Sequence, residues 1–273
     1  MMINMELIMA EIVRVADQLD EKEYPESVRL LREIAYTDDP EDLSPYSIAG
    51  SLADSDKPKT LPAVLLGLVQ TLYETEIAEG NADAMNDLGA QYYEGGRGFR
   101  QDFSKAVYYY ELAAKHGNRQ AQENLGYCYY YGRDMEPDYE KAFHYFALGA
   151  FDGHLISLYK IGDMYLNGYY VEKNEREAFL IYMRCLETMT QEAEKYAAGP
   201  VYLRLGKMFQ EGLGTEVNLK SALVCYQKAE AFLFDMVMDG SIMYRKSLEK
   251  AVLGQESVRK LLAEKLPEGT WVD

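Results

Sequence analysis

The chain has 273 residues, 48% of them apolar, and a formal net charge of −17. So acidic a balance argues against non-specific binding to nucleic acid or anionic lipid, both of which need clustered Lys and Arg. No apolar run approaches a membrane span, and Met1-Met2-Ile3-Asn4-Met5-Glu6 lacks the basic region and apolar core of a secretory signal, so a cytoplasmic protein is expected. In chain order, residues 2–20 predict a helix with Ile3, Leu7, Ile8, Ile12, Val15, Ala16 and Leu19 on one face. A second helix is expected from Pro25, turning Val28, Leu31 and Ile34 inward. Residues 37–42 read as a loop. Ser44-Pro45 joins a capping hydroxyl to a first-turn proline and opens a short helix to Leu52. Residues 54–60 read as another loop, and Leu61 to Glu79 as a longer helix.

From residue 81 the chain repeats itself. Leu88-Gly89, Tyr92 and Gly95 recur as Leu125-Gly126, Tyr129 and Gly132, as Ile161-Gly162, Tyr165 and Gly168, and as Leu205-Gly206, Phe209 and Gly212. The first glycines are spaced by 37, 36 and 44 residues. A second ladder, Ala106, Ala142, Ala178 and Ala222, is spaced by 36, 36 and 44, each alanine four residues after Asp102, Asp138, Asn174 or Asn218. A period in the thirties marks a helical solenoid. The aliphatic and the aromatic lie four apart, on one helical face. The first glycine has no Cβ and lets a neighbouring helix approach. The second glycine ends the helix, and the Asp or Asn caps the next one.

The pattern Ala84-x-x-x-Leu88-Gly89-x-x-Tyr92-x-x-Gly95, then Asp102-x-x-Lys105-Ala106-x-x-Tyr109-x-x-x-Ala113-Ala114-x-x-Gly117, resembles the Sel1-like repeat, a relative of the tetratricopeptide repeat. The unit from Asn118 matches with Gly149 in place of an alanine. The unit from His154 carries Glu177 and Ile181, and the unit from Pro200 carries Phe209 and Cys225, in place of consensus residues. The resemblance implies an all-α, right-handed solenoid of antiparallel helix pairs. Residues 1–60 would form an N-terminal helical cap, or a small domain with a role of its own, 61–80 a degenerate leading helix, and 81–117, 118–153, 154–199 and 200–235 the four repeats. Residues 236–273 would supply the C-terminal caps, as helices over Ser241–Leu253 and Glu256–Lys265 with Ile242, Leu248, Val252, Leu261 and Leu262 inward, and a tail bearing Trp271. The extra residues near Glu187–Tyr196 contain neither Pro nor Gly, so they are expected to lengthen the second helix of the third repeat.

No residue pattern identifies a reaction, a cofactor or a metal. His116, His144 and His154 form no His-x-x-x-His pair, and Cys-x-x-Cys is absent. Gly95-Gly96-Arg97-Gly98 lacks the Lys-Ser/Thr ending of a phosphate loop, and Asp134, Asp138 and Glu140 do not follow a calcium-loop spacing. Cys185 and Cys225 fall in packing slots of the repeat. The odd number of cysteines and the absence of a pair within any repeat, where some secreted family members carry a disulfide, favour a reducing compartment.

The 24 tyrosines are the better lead. Tyr92, Tyr129, Tyr165, Tyr109 and Tyr145 occupy repeat packing slots, whereas Tyr93, Tyr127, Tyr130, Tyr131 and Tyr159 do not. By resemblance to the tetratricopeptide repeat, the concave face is lined three residues before, one after and four after the first-helix glycine. This selects Asn86, Tyr93, Glu123, Tyr127, Tyr130, Tyr159, Asp163 and Lys207, with Ala90, Leu166, Leu203 and Gln210 beside them. Rings with polar tips suit a protein or peptide partner; filling a wide interface between repeats is the other use for them. The resemblance implies a non-catalytic scaffold or adaptor. A small-ligand sensor or enzyme, for example one binding cell-wall fragments, and a self-assembling structural protein are the alternatives.

Overall fold

The computed structural model describes residues 5–37, 43–57, 59–133 and 135–265, with the side chains of 191–195 and 265 left aside. Ile3, most of the loop expected at 37–42, Pro58, Asp134 and the tail with Trp271 lie outside the described residues. Among the described residues all regular structure is helical, as the repeat pattern predicts, apart from one isolated bridge between Gly96 and Phe99. The chain divides into two compact units, residues 1–138 and 139–273.

The first unit holds α1 (Met5–Gln18), α2 (Pro25–Ala35), α3 (Pro45–Asp54), α4 (Ala63–Ala78), α5 (Ala82–Glu94), α6 (Phe103–Lys115) and α7 (Arg119–Tyr131). One apolar core runs through it from Ile12, Leu31 and Leu52 to Leu65, Leu72, Ala84, Leu88 and Phe99. The Ser44 hydroxyl caps α3 as expected, accepting from the Ser47 amide at 3.1 Å. The start of α2 is capped from outside its own sequence neighbourhood. Tyr24 provides no side-chain cap. Instead the buried Asp56 carboxylate accepts from the Glu26 and Ser27 amides at 3.1 and 2.9 Å and from the Ser27 hydroxyl at 2.6 Å. Glu26 in return accepts from the Asp56 amide at 2.7 Å. Burial pushes the Asp56 carboxyl up, but the bonds from Ser27 and Glu26 outweigh it and hold the pKa below 3.8. Asp56→Ala should therefore cost about 1–3 kcal/mol in urea unfolding, because it strands buried amides, and Asp56→Asn less, because one acceptor remains.

The repeat units follow the chemistry read from their residues. Asp102, Asn174 and Asn218 each accept, with a side-chain oxygen, from an amide three residues on, at 2.9, 2.9 and 3.0 Å. Gly132 and Gly168 close their helices in the left-handed region, at φ 62° and 71°, where a Cβ would be strained. The following turn is tied back each time to the carbonyl of the repeat aromatic: Asp102 to Tyr92 at 2.9 Å, Asp138 to Tyr129 at 3.0 Å, Asn174 to Tyr165 at 2.8 Å and Asn218 to Phe209 at 2.8 Å. Helix α4 ends as α6 ends, with Gly80 and Gly117 both at φ 87°.

The second unit holds α8 (Tyr139–Phe151), α9 (Leu155–Asn167), α10 (Glu175–Thr188), α11 (Gln191–Glu211), α12 (Leu219–Met238), a 3-10 turn at Ile242–Tyr244 and α13 (Arg245–Lys265). Two expectations are corrected here. The extra residues do not lengthen α10, which stops at Thr188 with Met189 extended at φ −67° and ψ 124°. They lengthen α11, which runs through Pro200 for 21 residues. Proline forfeits one ladder bond, but the added turns pair with the 20-residue α12: Gly199 lies against Leu233, where a Cβ would come 2.9 Å from its Cγ. The closing helices are also one helix, α13, and Gly254 does not break it. A Cβ at Gly254 would come 2.5 Å from the Tyr226 ring, so the glycine marks a close helix crossing. Ile242 faces outward, at 64% exposure, whereas Leu248, Leu261 and Leu262 pack against the core as expected, beside the buried Ala251 and Val258.

Candidate functional site

The register positions predicted for partner binding separate by burial. Those three residues before the glycine are buried: Asn86, Glu123 and Tyr159. Asn86 accepts from the Asn124 side chain at 3.1 Å and donates to Asp87 at 3.2 Å, which ties α5 to α7. Positions after the glycine vary. Asp163 is buried, Tyr127 half-buried and Lys207 exposed, with Glu211 4.0 Å from its ammonium. Tyr93 and Tyr130, four residues after the glycine, are half-buried.

In the first unit these tyrosines join a larger ring cluster. Tyr93 meets Phe103 at 5.2 Å and Tyr110 at 6.5 Å. Tyr131 stacks on Tyr127 at 6.2 Å with planes 6° apart, and meets Tyr130 edge-on at 4.9 Å. Arg133, just past the end of α7, sends its guanidinium among the rings, and its Nε donates to the Tyr93 hydroxyl at 3.2 Å. Burial pushes the Tyr93 hydroxyl up; Arg133 pulls the other way and only partly offsets it.

In the second unit Asp163 and Tyr159 belong to a buried charged cluster. The Arg204 guanidinium grips the Asp163 carboxylate with Nε and with Nη2, the latter at 2.5 Å, and its Nη1 donates to the Pro200 carbonyl at 2.9 Å. The Tyr182 hydroxyl donates to Asp163 at 2.7 Å, and the Lys160 ammonium lies 3.7 Å away. The Tyr159 ring sits under Arg204, 4.9 Å from ring centre to guanidinium. Burial pushes the Asp163 carboxyl up, but Arg204, Lys160 and the Tyr182 hydroxyl outweigh it and hold it below 3.8. The sequence reading selected Asp163 and missed Arg204 and Lys160. The available signal was opposite charge at matching register, since both cations stand two residues before a repeat glycine.

A third ladder, of rings, was also missed. Tyr110, Phe146, Tyr182 and Tyr226 are buried and stand four residues after the ladder alanines, one place beyond the slot read as the packing aromatic. Every repeat carries a ring there, which is the signal that could have found it. Three of these rings, Tyr110, Tyr182 and Tyr226, lie directly against the first-helix glycines Gly89, Gly162 and Gly206.

The cysteines are buried and unpaired. Burial pushes the thiols of Cys128, Cys185 and Cys225 up to about 12, 12 and 11, so none offers a thiolate at neutral pH. The Gly95–Gly98 turn is structural: the Arg97 carbonyl accepts from Leu61 at 2.8 Å, and its guanidinium donates to the Ser55 carbonyl. Among the described residues no group of three or more His, Cys, Asp or Glu could hold a metal ion, and no helix is long and apolar enough to cross a membrane. An open depression of about 700 Å³ lies at the turn between α11 and α12, beside Arg176, Phe209 and Asn218.

Comparison with known families and structures places these features. The Sel1 repeat family matches residues 82–118, 119–154, 155–182 and 200–231. No curated protein matches the sequence. Among solved structures, the chain is similar to a Sel1 repeat protein from Oxalobacter formigenes, at 20% identity and a TM-score of 0.60, over 96% of this chain and 99% of that one. It is also similar to a protective antigen present in uropathogenic Escherichia coli strains and displaying an SLR fold, at 21% identity and a TM-score of 0.59. That match covers 91% of this chain but spans about half (53%) of the antigen. At these identities the likeness is one of fold. The four matched repeats make this chain a member of the Sel1-repeat family of α-solenoids.

Proposed function

We propose that the chain is a non-catalytic binding module that holds a protein or peptide segment on the tyrosine-rich face of its first unit. Tyr93, Tyr127 and Tyr130 carry the contact, with Tyr131 beside them. The observation that supports this most is the half-exposed ring cluster itself. Rings with hydroxyl tips provide rigid contact area and a polar handle, the composition typical of interface hot spots. Asn86, Glu123, Tyr159 and Asp163 are buried, and on this reading they brace neighbouring helices and leave contact with the partner to exposed neighbours. Lys207 belongs to the second unit and is exposed there. The suppressed thiols also favour binding over cysteine chemistry.

On the same reading α1–α3 cap the repeats of the first unit, because their core continues without a break into Ala84, Leu88 and Phe99. Three unpaired buried cysteines favour a cytoplasmic setting. The test uses a partner recovered from native extract and titrated calorimetrically. Tyr127→Ala and Tyr130→Ala should each weaken it by about 2 kcal/mol, roughly thirtyfold in Kd, with the melting curve little changed. Unchanged affinity in both variants would remove this face from consideration.

A further inference from the structure

The half-buried Arg133 sits in an aromatic cage. Its guanidinium carbon lies 5.7 Å from the centre of the Tyr93 ring, 5.3 Å from Phe103 and 5.4 Å from Tyr131. The rings come from α5, the first residue of α6 and the last residue of α7. Ring faces are electron-rich, and several around one point select a cation over a neutral or anionic group. Tyr131 is 49% exposed, so the cage borders solvent. The surroundings point the same way. Glu94 and Asp87 are close enough to Tyr110 to help push its hydroxyl up, after burial, and Tyr110 packs on Tyr93. The chain as a whole carries −17. An anionic segment would meet this field before it met Arg133.

We propose that the tyrosine face selects an extended segment bearing Arg or Lys, whose cation takes the place of Arg133 in the Tyr93–Phe103–Tyr131 cage. Arg133 is then an internal stand-in that the ligand displaces. This rests on the binding reading given above and adds the partner's charge to it.

The test titrates the full chain with three short Gly/Ser peptides that differ only in carrying Arg, citrulline or Glu at spaced positions. The Arg peptide should bind about tenfold more tightly than its citrulline isostere, and added salt should weaken it. Arg133→Ala vacates the cage and should strengthen Arg-peptide binding about threefold to tenfold, whereas Tyr131→Ala should weaken it by a similar factor. Arg133→Lys keeps the cage filled, should show no such gain, and controls for loss of fold. Equal binding of Arg and citrulline peptides, tighter binding of the Glu peptide, or no gain in a folded Arg133→Ala variant would overturn the cation preference. If a citrulline or Glu peptide still depends on Tyr127 and Tyr130, the tyrosine face survives that failure. If no peptide depends on them, both readings fall.

Discussion

Arg204→Met should destabilise the second unit by about 3 kcal/mol, and Asp163→Leu by about 3–5 kcal/mol, because each leaves its partner's charge buried without its main counter-ion. The Lys160 ammonium still lies 3.7 Å from the Asp163 carboxylate when Arg204 is lost, which places that loss at the lower end. The double variant should lose less than the sum of the two, since removing Arg204 strands no carboxylate once Asp163 is gone, and only the Lys160 ammonium is left facing the apolar pair. Urea unfolding at neutral pH measures all three. Additive losses would show that the two side chains contribute independently.

The same cluster sets a pH dependence whose sign follows from Asp163. Its pKa in the folded chain lies below 3.8. A carboxylate depressed by folding contributes stability that is complete above its unfolded pKa and is lost as pH falls through the folded one. The wild-type chain should therefore lose stability on acidification below about pH 4, where unfolded carboxylates begin to take up protons. Asp163→Asn should be less stable at neutral pH and lose less on acidification, because it has no carboxyl there to titrate. Parallel curves for the two proteins would show that Asp163 does not carry this dependence.

Gly162→Ala should destabilise by about 1–3 kcal/mol, although alanine is the better helix former. The added Cβ would stand 2.7 Å from Tyr182 Cε1, 3.1 Å from its Cζ and 3.2 Å from Ile181 Cγ2. The ring cannot swing away cheaply, because it is fully buried and its hydroxyl is tied to Asp163 at 2.7 Å. Gly67 in α4 gives the opposite case. Nothing lies within 4 Å of a Cβ placed there, so Gly67→Ala should stabilise by about 0.5–1 kcal/mol. Tyr182→Leu placed behind Gly162→Ala should restore room and recover part of the loss, measured as a coupling in a double-mutant cycle. A stabilised Gly162→Ala variant would contradict close packing at this crossing.

Local features were legible to the residue. Ser44, Asp102, Asn174 and Asn218 are caps that depend only on a side chain meeting an amide three positions on, and each was readable in the sequence. The repeat glycines and alanines were legible because the same demand recurs at a fixed beat. Helix lengths were not. Whether residues past Thr188 extend α10 or begin α11, and whether Gly254 interrupts a helix, depends on what packs there. Leu233 of α12 lies against Gly199, and Tyr226 lies against Gly254. The candidate surface was legible as register but not as exposure. Tyr127 and Asp163 hold the same repeat position, yet one ring is half-exposed and the other side chain is buried under Arg204.

The sequence by itself determined the repeating unit, two capped helices whose small residues let them approach, because those requirements act within a few residues. Only the tertiary structure decided which polar side chains are sealed into pairs, as Asp163 is with Arg204 41 residues away. It also decided which rings gather around Arg133. Both depend on distances between helices that no local pattern encodes, and at those distances the protein rather than water supplies the partner for each charge and hydroxyl.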